Sequence, residues 1–177
     1  MDQLNAIRET LPDAARDIKI NLQTVLQPGT LSKPQVWGSA LACAYAARNQ
    51  RLVAAVLADA KAAGIEEGTL DDAKAAAILM GMNNVYYRFR HSIGKEVYSQ
   101  RPARLRMMRT TAVTSNKPDF DLFCLAVSSI NFCESCMQAH EKEALAGGLT
   151  EDHVHDAVRI AAVVHGAAVA METTIAS

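Results

Sequence analysis

Alanine-rich segments run through the whole chain, and they limit the folds that are open to it. Hydrophobic residues make up 50% of the 177 residues, and runs of β-branched residues are short and scattered. Alanine has the highest helix propensity, whereas β-branched side chains favour strands. No stretch of useful length alternates between apolar and polar residues as a half-buried strand does. The sequence therefore predicts an all-α fold.

Prolines, glycines and capping residues divide the chain into helical segments. Ser32 stands where an N-cap is expected before Pro34. Thr150, with His153 three residues later, resembles a capping box. These signals predict helices over residues 2–10, 13–26, 32–47, 51–63, 70–89, 116–130, 134–146 and 150–173, with a short helix inside the connection 92–106.

Two parts of the chain resemble each other at an offset of 84 or 85 residues. Residues 71–81 align with residues 156–166, which share Asp, Ala and Gly positions. Residues 34–63 and 118–147 share a helical pattern. Two halves of one helical architecture would explain both similarities.

The predicted domain organisation follows from this repeat. We expect a single domain over residues 1–177, made of two pseudo-duplicated halves. The N-terminal half, about residues 1–110, is expected to be scaffold, and the C-terminal half, about residues 111–177, is expected to carry the functional site. The reason is that equivalent positions of the two halves differ. At the offset of 84, the first half has Asn49, Leu52 and Val56 where the second half has Cys133, Cys136 and His140.

Charge and composition argue against several classes of protein. The formal net charge is −1, and no basic tract supports nucleic-acid binding. Residues 1–5 lack the basic and apolar regions of a secretory signal. The longest apolar-rich stretch, residues 157–171, is interrupted by Arg159 and His165, so no membrane span is expected. We therefore predict a cytoplasmic protein whose thiols are normally reduced.

The most informative motif is Cys133-Glu134-Ser135-Cys136, followed by His140. In a helix, the spacing places both cysteines and the histidine on one face. An acid, Asp121, lies twelve residues before Cys133. In a reducing compartment, Cys-x-x-Cys is more often redox-active or metal-binding than structural.

These residue types together suit thiol chemistry. A helix N-terminus, a nearby base and a partner thiol each lower the pKa of a thiol. His140 can take the proton of Cys136, directly or through a water, and Asp121 can orient the imidazole. With a peroxide, the attacking thiolate becomes a sulfenic acid that the second thiol converts to a disulfide. With a disulfide substrate, the same pair exchanges.

Metal binding is the main alternative for the motif. A structural zinc site normally needs four ligands, and the chain has one Cys-x-x-Cys pair. Cys43 and Cys124 lie in apolar helical surroundings, where a cysteine is usually a small buried hydrophobe. We therefore expect no bound metal.

The spacing of Asp121, Cys133, Cys136 and His140 resembles a known pattern. It is similar to the Glu-x11-Cys-x-x-Cys-x3-His pattern of the AhpD-like alkylhydroperoxidases, a family within the carboxymuconolactone decarboxylase-like superfamily. The resemblance covers nearly the whole chain, through residues 11–12 and 17–19, 36–38, 80–88, 101–102 and 105–107.

The resemblance implies a pseudo-duplicated helical fold, assembled as a homo-oligomer, commonly a trimer. It implies a thiol peroxidase that reduces alkyl hydroperoxides with no bound cofactor or metal. Cys136 would react with the peroxide, Cys133 would donate a proton and close the disulfide, and His140 and Asp121 would form a proton relay. A lipoyl-carrying protein of a 2-oxoacid dehydrogenase complex would re-reduce the pair, and electrons could also pass to the peroxiredoxin AhpC.

Two positions depart from the family pattern. The family acid is usually Glu, and the shorter Asp121 favours a relay through a water over direct contact with the histidine. Family members can also carry a histidine where this chain has Ser135, which leaves His140 as the nearby imidazole. Three functions therefore stay open: an alkylhydroperoxidase, a dithiol–disulfide reductase between lipoyl groups and AhpC, and a non-catalytic oligomeric scaffold.

Overall fold

The computed structural model describes residues 1–173, and within this range the chain is helical with no strand. The all-α prediction is therefore confirmed. Two short 3₁₀ turns, Asp13–Ala15 and Met108–Thr110, accompany the α-helices. The α-helices are α1 (Asp2–Thr10), α2 (Arg16–Thr24), α3 (Lys33–Ala47), α4 (Gln50–Ala62), α5 (Glu67–Ile93), α6 (Glu96–Ser99), α7 (Lys117–Ile130), α8 (Glu134–Ala146) and α9 (Glu151–Thr173).

The predicted boundaries differ most from the observed ones at α5. This helix begins at Glu67 instead of residue 70 and continues to Ile93 instead of residue 89. The apolar pattern fades after residue 89, but the helix ends only at Gly94, which has a φ of 62°. Glycine adopts this left-handed conformation without strain, and such a residue commonly ends a helix.

Local capping explains where α3 and α7 begin. The Ser32 hydroxyl accepts a hydrogen bond from the Gln35 backbone N–H, and the Gln35 side chain accepts one from the Ser32 N–H at 2.8 Å. Asn116 caps α7 by accepting a 2.9 Å bond from the Asp119 N–H. Each cap satisfies backbone groups that the first turn of a helix leaves unpaired.

The internal repeat is visible in the positions where helices begin. Helices α3, α4 and α5 begin at residues 33, 50 and 67, and α7, α8 and α9 begin 84 residues later, at 117, 134 and 151. The halves meet where Gln35 Nε2 donates a 2.7 Å hydrogen bond to Asp119 Oδ1, two residues that are also 84 apart. The prediction of two pseudo-duplicated halves is confirmed, and the assignment of one domain stays a prediction.

Helix α3 lies at the centre of the core and packs against α5, α7 and α9. Every residue from Gln35 to Ala44 is buried. Gly38 allows α7 to approach closely, because a Cβ at this position would lie 2.1 Å from Cζ of Phe123. This close contact between α3 and α7 fixes the position of α7, and with it the position of Asp121.

Helix α9 is long and apolar enough to cross a membrane by length and composition. The core helix of a soluble protein passes the same test. One side of α9, which includes Ala157, Val164 and Ala168, is buried, and the helix packs against α3 and α7. The helix is weak evidence for a membrane span, and the expectation of none stays a prediction.

The buried carboxylate of Asp72 binds the long connection between α5 and α7 through hydrogen bonds. Asp72 accepts hydrogen bonds from the backbone N–H groups of Thr114 and Ser115, from the Ser115 hydroxyl and from the Arg109 guanidinium. Burial alone would raise the pKa of Asp72, but these hydrogen bonds, led by those from Ser115, outweigh it and lower the pKa below its usual value. Asp72 therefore stabilises the folded position of this connection.

Replacing Asp72 by Asn is expected to lower the free energy of unfolding at neutral pH by about 2 kcal/mol, because the buried acceptor of these bonds loses its charge. Since the pKa of Asp72 is lower in the folded state, its contribution is fully present above about pH 4 and is lost as the pH falls further. Urea unfolding of both proteins at neutral and acidic pH measures this. A difference that does not shrink in acid would contradict the role of the charge.

Candidate active site

The two cysteines of the motif lie at the start of α8. Cys133 is the N-cap residue, with an extended backbone, and Cys136 lies in the first turn. They form a disulfide, with their Cα atoms 5.3 Å apart. Both side chains are buried. The structure therefore represents the oxidised form of the pair.

Side chains of α5 hold the turn that precedes the first cysteine. Arg88 donates a 2.6 Å hydrogen bond to the Asn131 carbonyl. The Asn84 side chain accepts a 2.9 Å bond from Asn131 Nδ2 and donates a 2.9 Å bond to Ser128 Oγ. Phe132, between this network and α8, has a φ of 52°, which is uncommon for a bulky residue. The network holds the chain in this turn, so that α8 begins beside the end of α7.

A buried acid of α7 contacts the imidazole of α8. Asp121 is 1% exposed, and its Oδ1 lies 3.0 Å from Nδ1 of His140. Its Oδ2 contacts Nζ of Lys117, one turn earlier on α7. A carboxylate at Nδ1 favours the tautomer that carries its N–H there. Nε2 of His140 is then the nitrogen that can accept a proton.

A cleft of about 590 Å³ opens beside the disulfide. Within the described part of the chain, Cys136 lines this cleft and Cys133 does not. Other residues that line the cleft come from α5 (Met80, Asn83, Tyr87), the long connection (Met107), α7 (Lys117, Asp121) and α8 (Ser135, His140). A small molecule that enters the cleft therefore meets Cys136, the imidazole and the acid together.

The position of the cysteines on α8 suits an anionic sulfur. The first-turn N–H groups and the dipole of a helix stabilise negative charge at its N-terminus. The side chain of Cys133, the N-cap residue, makes no capping hydrogen bond, so it does not occupy these first-turn N–H donors. His140 lies one turn after Cys136 on the same helix, and no hydrogen bond joins its ring to either sulfur within residues 1–173. A proton passing between them would therefore use a water or the substrate.

The two remaining cysteines lie in the core. Cys43 on α3 and Cys124 on α7 are free and buried, and burial raises the pKa of both thiols. The prediction that they are small buried hydrophobes is confirmed. Among the described residues, no three His, Cys, Asp or Glu side chains form a group that could hold a metal ion; the expectation of no metal stays a prediction.

The structure brings the four predicted site residues together: Cys133, Cys136, His140 and Asp121. One expectation about them is wrong. The shorter acid contacts the imidazole directly at 3.0 Å, and not through a water. The reason is the close packing of α7 against α8, which brings the carboxylate within reach in spite of the missing methylene.

Two groups of residues at the site were not predicted from the sequence. Lys117 had a local signal, because its spacing of four residues from Asp121 places both on one helix face. Asn84 and Arg88 had none, since their partners lie more than 40 residues away in the chain. Only the packing of α5 against α7 and α8 shows their role.

Comparisons with known proteins agree with this fold. The family model described as the carboxymuconolactone decarboxylase family matches residues 102–176. An alkyl hydroperoxide reductase AhpD from Anaeromyxobacter sp. (strain K) is 61% identical over 172 residues, 97% of this chain and 92% of that protein. Proteins of the same name from Rhodospirillum centenum and Solibacter usitatus are each 43% identical, over 98% and 96% of this chain and 92% and 96% of theirs.

The fold and these relatives define the chain as an all-helical oxidoreductase. More closely, the chain belongs to the AhpD family of alkyl hydroperoxide reductases. Membership makes it an enzyme of the peroxidase class, and the scaffold hypothesis is no longer needed.

Thiol counting is expected to separate the two kinds of cysteine. The native oxidised protein should show no rapidly reacting thiol, because Cys43 and Cys124 are buried and protonated. Unfolding without reductant should expose two thiols, and unfolding after reduction should expose all four. Titration with a chromogenic disulfide reagent measures each number. Rapid reaction of the native oxidised protein would contradict the assignment.

Proposed function

We propose that the chain reduces alkyl hydroperoxides through a dithiol–disulfide cycle of Cys136 and Cys133, with no bound cofactor or metal. The observation that carries this proposal is the shared cleft of Cys136, His140 and Asp121. Cys133 is bonded to Cys136 but lies outside the lining of the cleft. This difference supports Cys136 as the sulfur that meets the peroxide.

The first step oxidises Cys136. His140 Nε2 takes the thiol proton through a water, while Asp121 stabilises the imidazolium. The thiolate then attacks the terminal oxygen of R–O–OH. A sulfur–oxygen bond forms, the oxygen–oxygen bond breaks, and the sulfur becomes a sulfenic acid. The leaving alkoxide takes the proton from His140 and becomes an alcohol.

The second step closes the disulfide. Cys133 attacks the sulfenic sulfur and donates its thiol proton, so that water leaves and the Cys133–Cys136 bond forms. A lipoyl dithiol on a protein of a 2-oxoacid dehydrogenase complex then restores both thiols by exchange, supplying two electrons and two protons. In the second candidate function, the same pair passes lipoyl electrons to the peroxiredoxin AhpC and reacts little with peroxide itself.

The surface beside the site supports a protein partner of acidic character. Residues 88–117 carry eight of the 18 lysines and arginines and one of the 19 acids. This basic segment lies beside the site. Its residues Lys95 and Ser99 line a groove together with Ser135 of the motif, and its residue Met107 lines the active-site cleft. Positive charge around a site attracts partners of opposite charge.

We place the chain and its redox partners in the cytoplasm, where dithiols are kept reduced.

An apolar stripe on α5 supports a homo-oligomer, which we propose to be a trimer. Ile78, Val85, Phe89 and Ile93 are 68%, 60%, 45% and 40% exposed. Their spacing of seven, four and four residues places them on one face of the helix. An exposed apolar face of this kind is typical of a subunit interface.

The variant Cys133→Ser is expected to trap a sulfenic acid on Cys136 after one equivalent of alkyl hydroperoxide, because the resolving thiol is missing. The variant Cys136→Ser should consume no peroxide and form no sulfenic acid on Cys133. Labelling with a dimedone probe, followed by peptide mass spectrometry, distinguishes the two. Labelling of Cys133 in the second variant at the rate seen for Cys136 in the first would reverse the assigned roles.

The variant Asp121→Asn is expected to lower kcat/KM for alkyl hydroperoxide by about 100-fold, within the range for a lost acid–base contribution. An amide at Nδ1 can donate a hydrogen bond and favour the tautomer that has its proton on Nε2. Asp121→Glu is the control that keeps the charge, and it should retain most of the activity. Unchanged activity of Asp121→Asn, with unchanged urea stability, would remove the acid from the relay.

The double variant Val85→Glu with Phe89→Glu is expected to dissociate the oligomer, because each subunit would have to bury two unpaired charges in an apolar interface. Ile20→Glu is the matched control, since Ile20 is 56% exposed on α2, away from the stripe. Light scattering coupled to size exclusion gives the mass of each protein. A double variant that keeps the mass of a wild-type trimer would exclude this face as the interface.

A further inference from the structure

Two neighbouring asparagines on α5 have opposite environments. Asn84 is buried, and its amide bonds to Ser128 and Asn131. Asn83 is 6% exposed, and its Oδ1 is buried with no hydrogen-bond partner. No hydrogen bond from its Nδ2 to any residue in the range 1–173 is present either. Folding therefore leaves the buried amide oxygen without the partner that such a group normally has, and the amide N–H groups without a bond to the described residues.

The unpaired amide belongs to the wall of the active-site cleft. Met80, Asn83 and Tyr87 are spaced three and four residues apart, so they form one face of α5, and all three line the cleft that Cys136 and His140 line from α8. Among these three side chains, the Asn83 amide is the polar group that is almost wholly buried. Buried polar groups that a fold leaves unpaired are commonly completed by a ligand or an ordered water.

We propose that the Asn83 amide is a hydrogen-bonding subsite for the hydroperoxide group of the substrate. This inference rests on the proposed function, since it concerns the same cleft and the same reaction. The amide N–H donates to the alkyl-bearing oxygen of R–O–OH. The terminal oxygen is thereby directed toward the Cys136 sulfur.

The same contact stabilises charge as the reaction proceeds. When the Cys136 thiolate bonds to the terminal oxygen, the oxygen–oxygen bond breaks and negative charge develops on the alkyl-bearing oxygen. A fixed N–H donor at that oxygen stabilises the charge until His140 delivers the proton that completes the alcohol. The sulfur loses two electrons and the peroxide gains them, so Asn83 changes neither its proton count nor its redox state.

The environment of Asn83 separates this role from a structural one. An amide that stabilises the fold has partners, as Asn84 does, and its loss leaves donors or acceptors unpaired. Replacing an unpaired buried amide by an apolar side chain of similar size removes no bond. We therefore expect Asn83→Leu to leave the urea midpoint unchanged or raise it, while the reaction with peroxide slows.

Three measurements on the reduced protein test the proposal. The rate constant for oxidation by cumene hydroperoxide should fall about 10- to 100-fold in Asn83→Leu, the range for loss of one donor to a developing oxyanion. The rate of alkylation of Cys136 by iodoacetamide, which reports the thiolate, should stay that of wild type. Asn84→Leu is the matched control, and its urea midpoint should fall. Asn83→Ala, which removes the donor without adding a charge beside the thiol, should also oxidise slowly if the leucine variant folds poorly.

Each contrary outcome has a distinct meaning. Wild-type oxidation rates in both Asn83 variants would overturn the subsite. A parallel fall in oxidation and alkylation would also overturn it, because the amide would then act on the thiol and not on the peroxide. If the wild-type protein itself resists oxidation while lipoyl exchange is fast, the proposed peroxidase function fails, and the subsite fails with it.

Discussion

A carboxylate that is removed from water must be paired, and the pairing of Asp121 organises the site. One oxygen contacts Lys117 on its own helix, and the other contacts His140 on α8. The contact joins two helices and orients the imidazole at the same time. It depends in turn on the core, because α3 fixes α7 through the close approach at Gly38. The contact between the acid and the imidazole is thus a consequence of how three helices pack.

The repeat explains why both cysteines, the imidazole and the acid come from one half of the molecule. At the position equivalent to Asp121, the first half has Trp37, a buried core side chain. At the position equivalent to Cys133 it has Asn49, whose side chain caps α4 by accepting a 2.9 Å bond from the Leu52 N–H. At the start of α4, a backbone N–H donor is therefore already bonded to a side chain. The start of α8 has no side-chain cap, and a cysteine lies in its first turn. The same backbone therefore carries a side-chain cap at the start of α4 and a pair of cysteines at the start of α8.

Much of this architecture could be predicted because its causes are local. Capping residues and prolines give the starts of α3 and α7, and the spacing of the motif gives the shared face of Cys136 and His140. The end of α5 was predicted too early, because the three polar residues 90–92 interrupt the apolar pattern before Ile93 and the helix ends only at Gly94. Direct contact between Asp121 and His140 depends on the distance between two helices, which no local pattern contains. The contrast between Asn83 and Asn84 is likewise tertiary, since adjacent identical residues face different neighbours.

The central claim is that an alkyl hydroperoxide alone oxidises the Cys133–Cys136 pair. The most direct measurement mixes the fully reduced protein with a slight excess of alkyl hydroperoxide, quenches the reaction with an alkylating reagent at short times and maps the products by mass spectrometry. The account predicts rapid loss of two thiols, a disulfide between Cys133 and Cys136, and unmodified thiols at Cys43 and Cys124. Persistence of all four thiols in the presence of peroxide, or oxidation at the core cysteines instead, would contradict it.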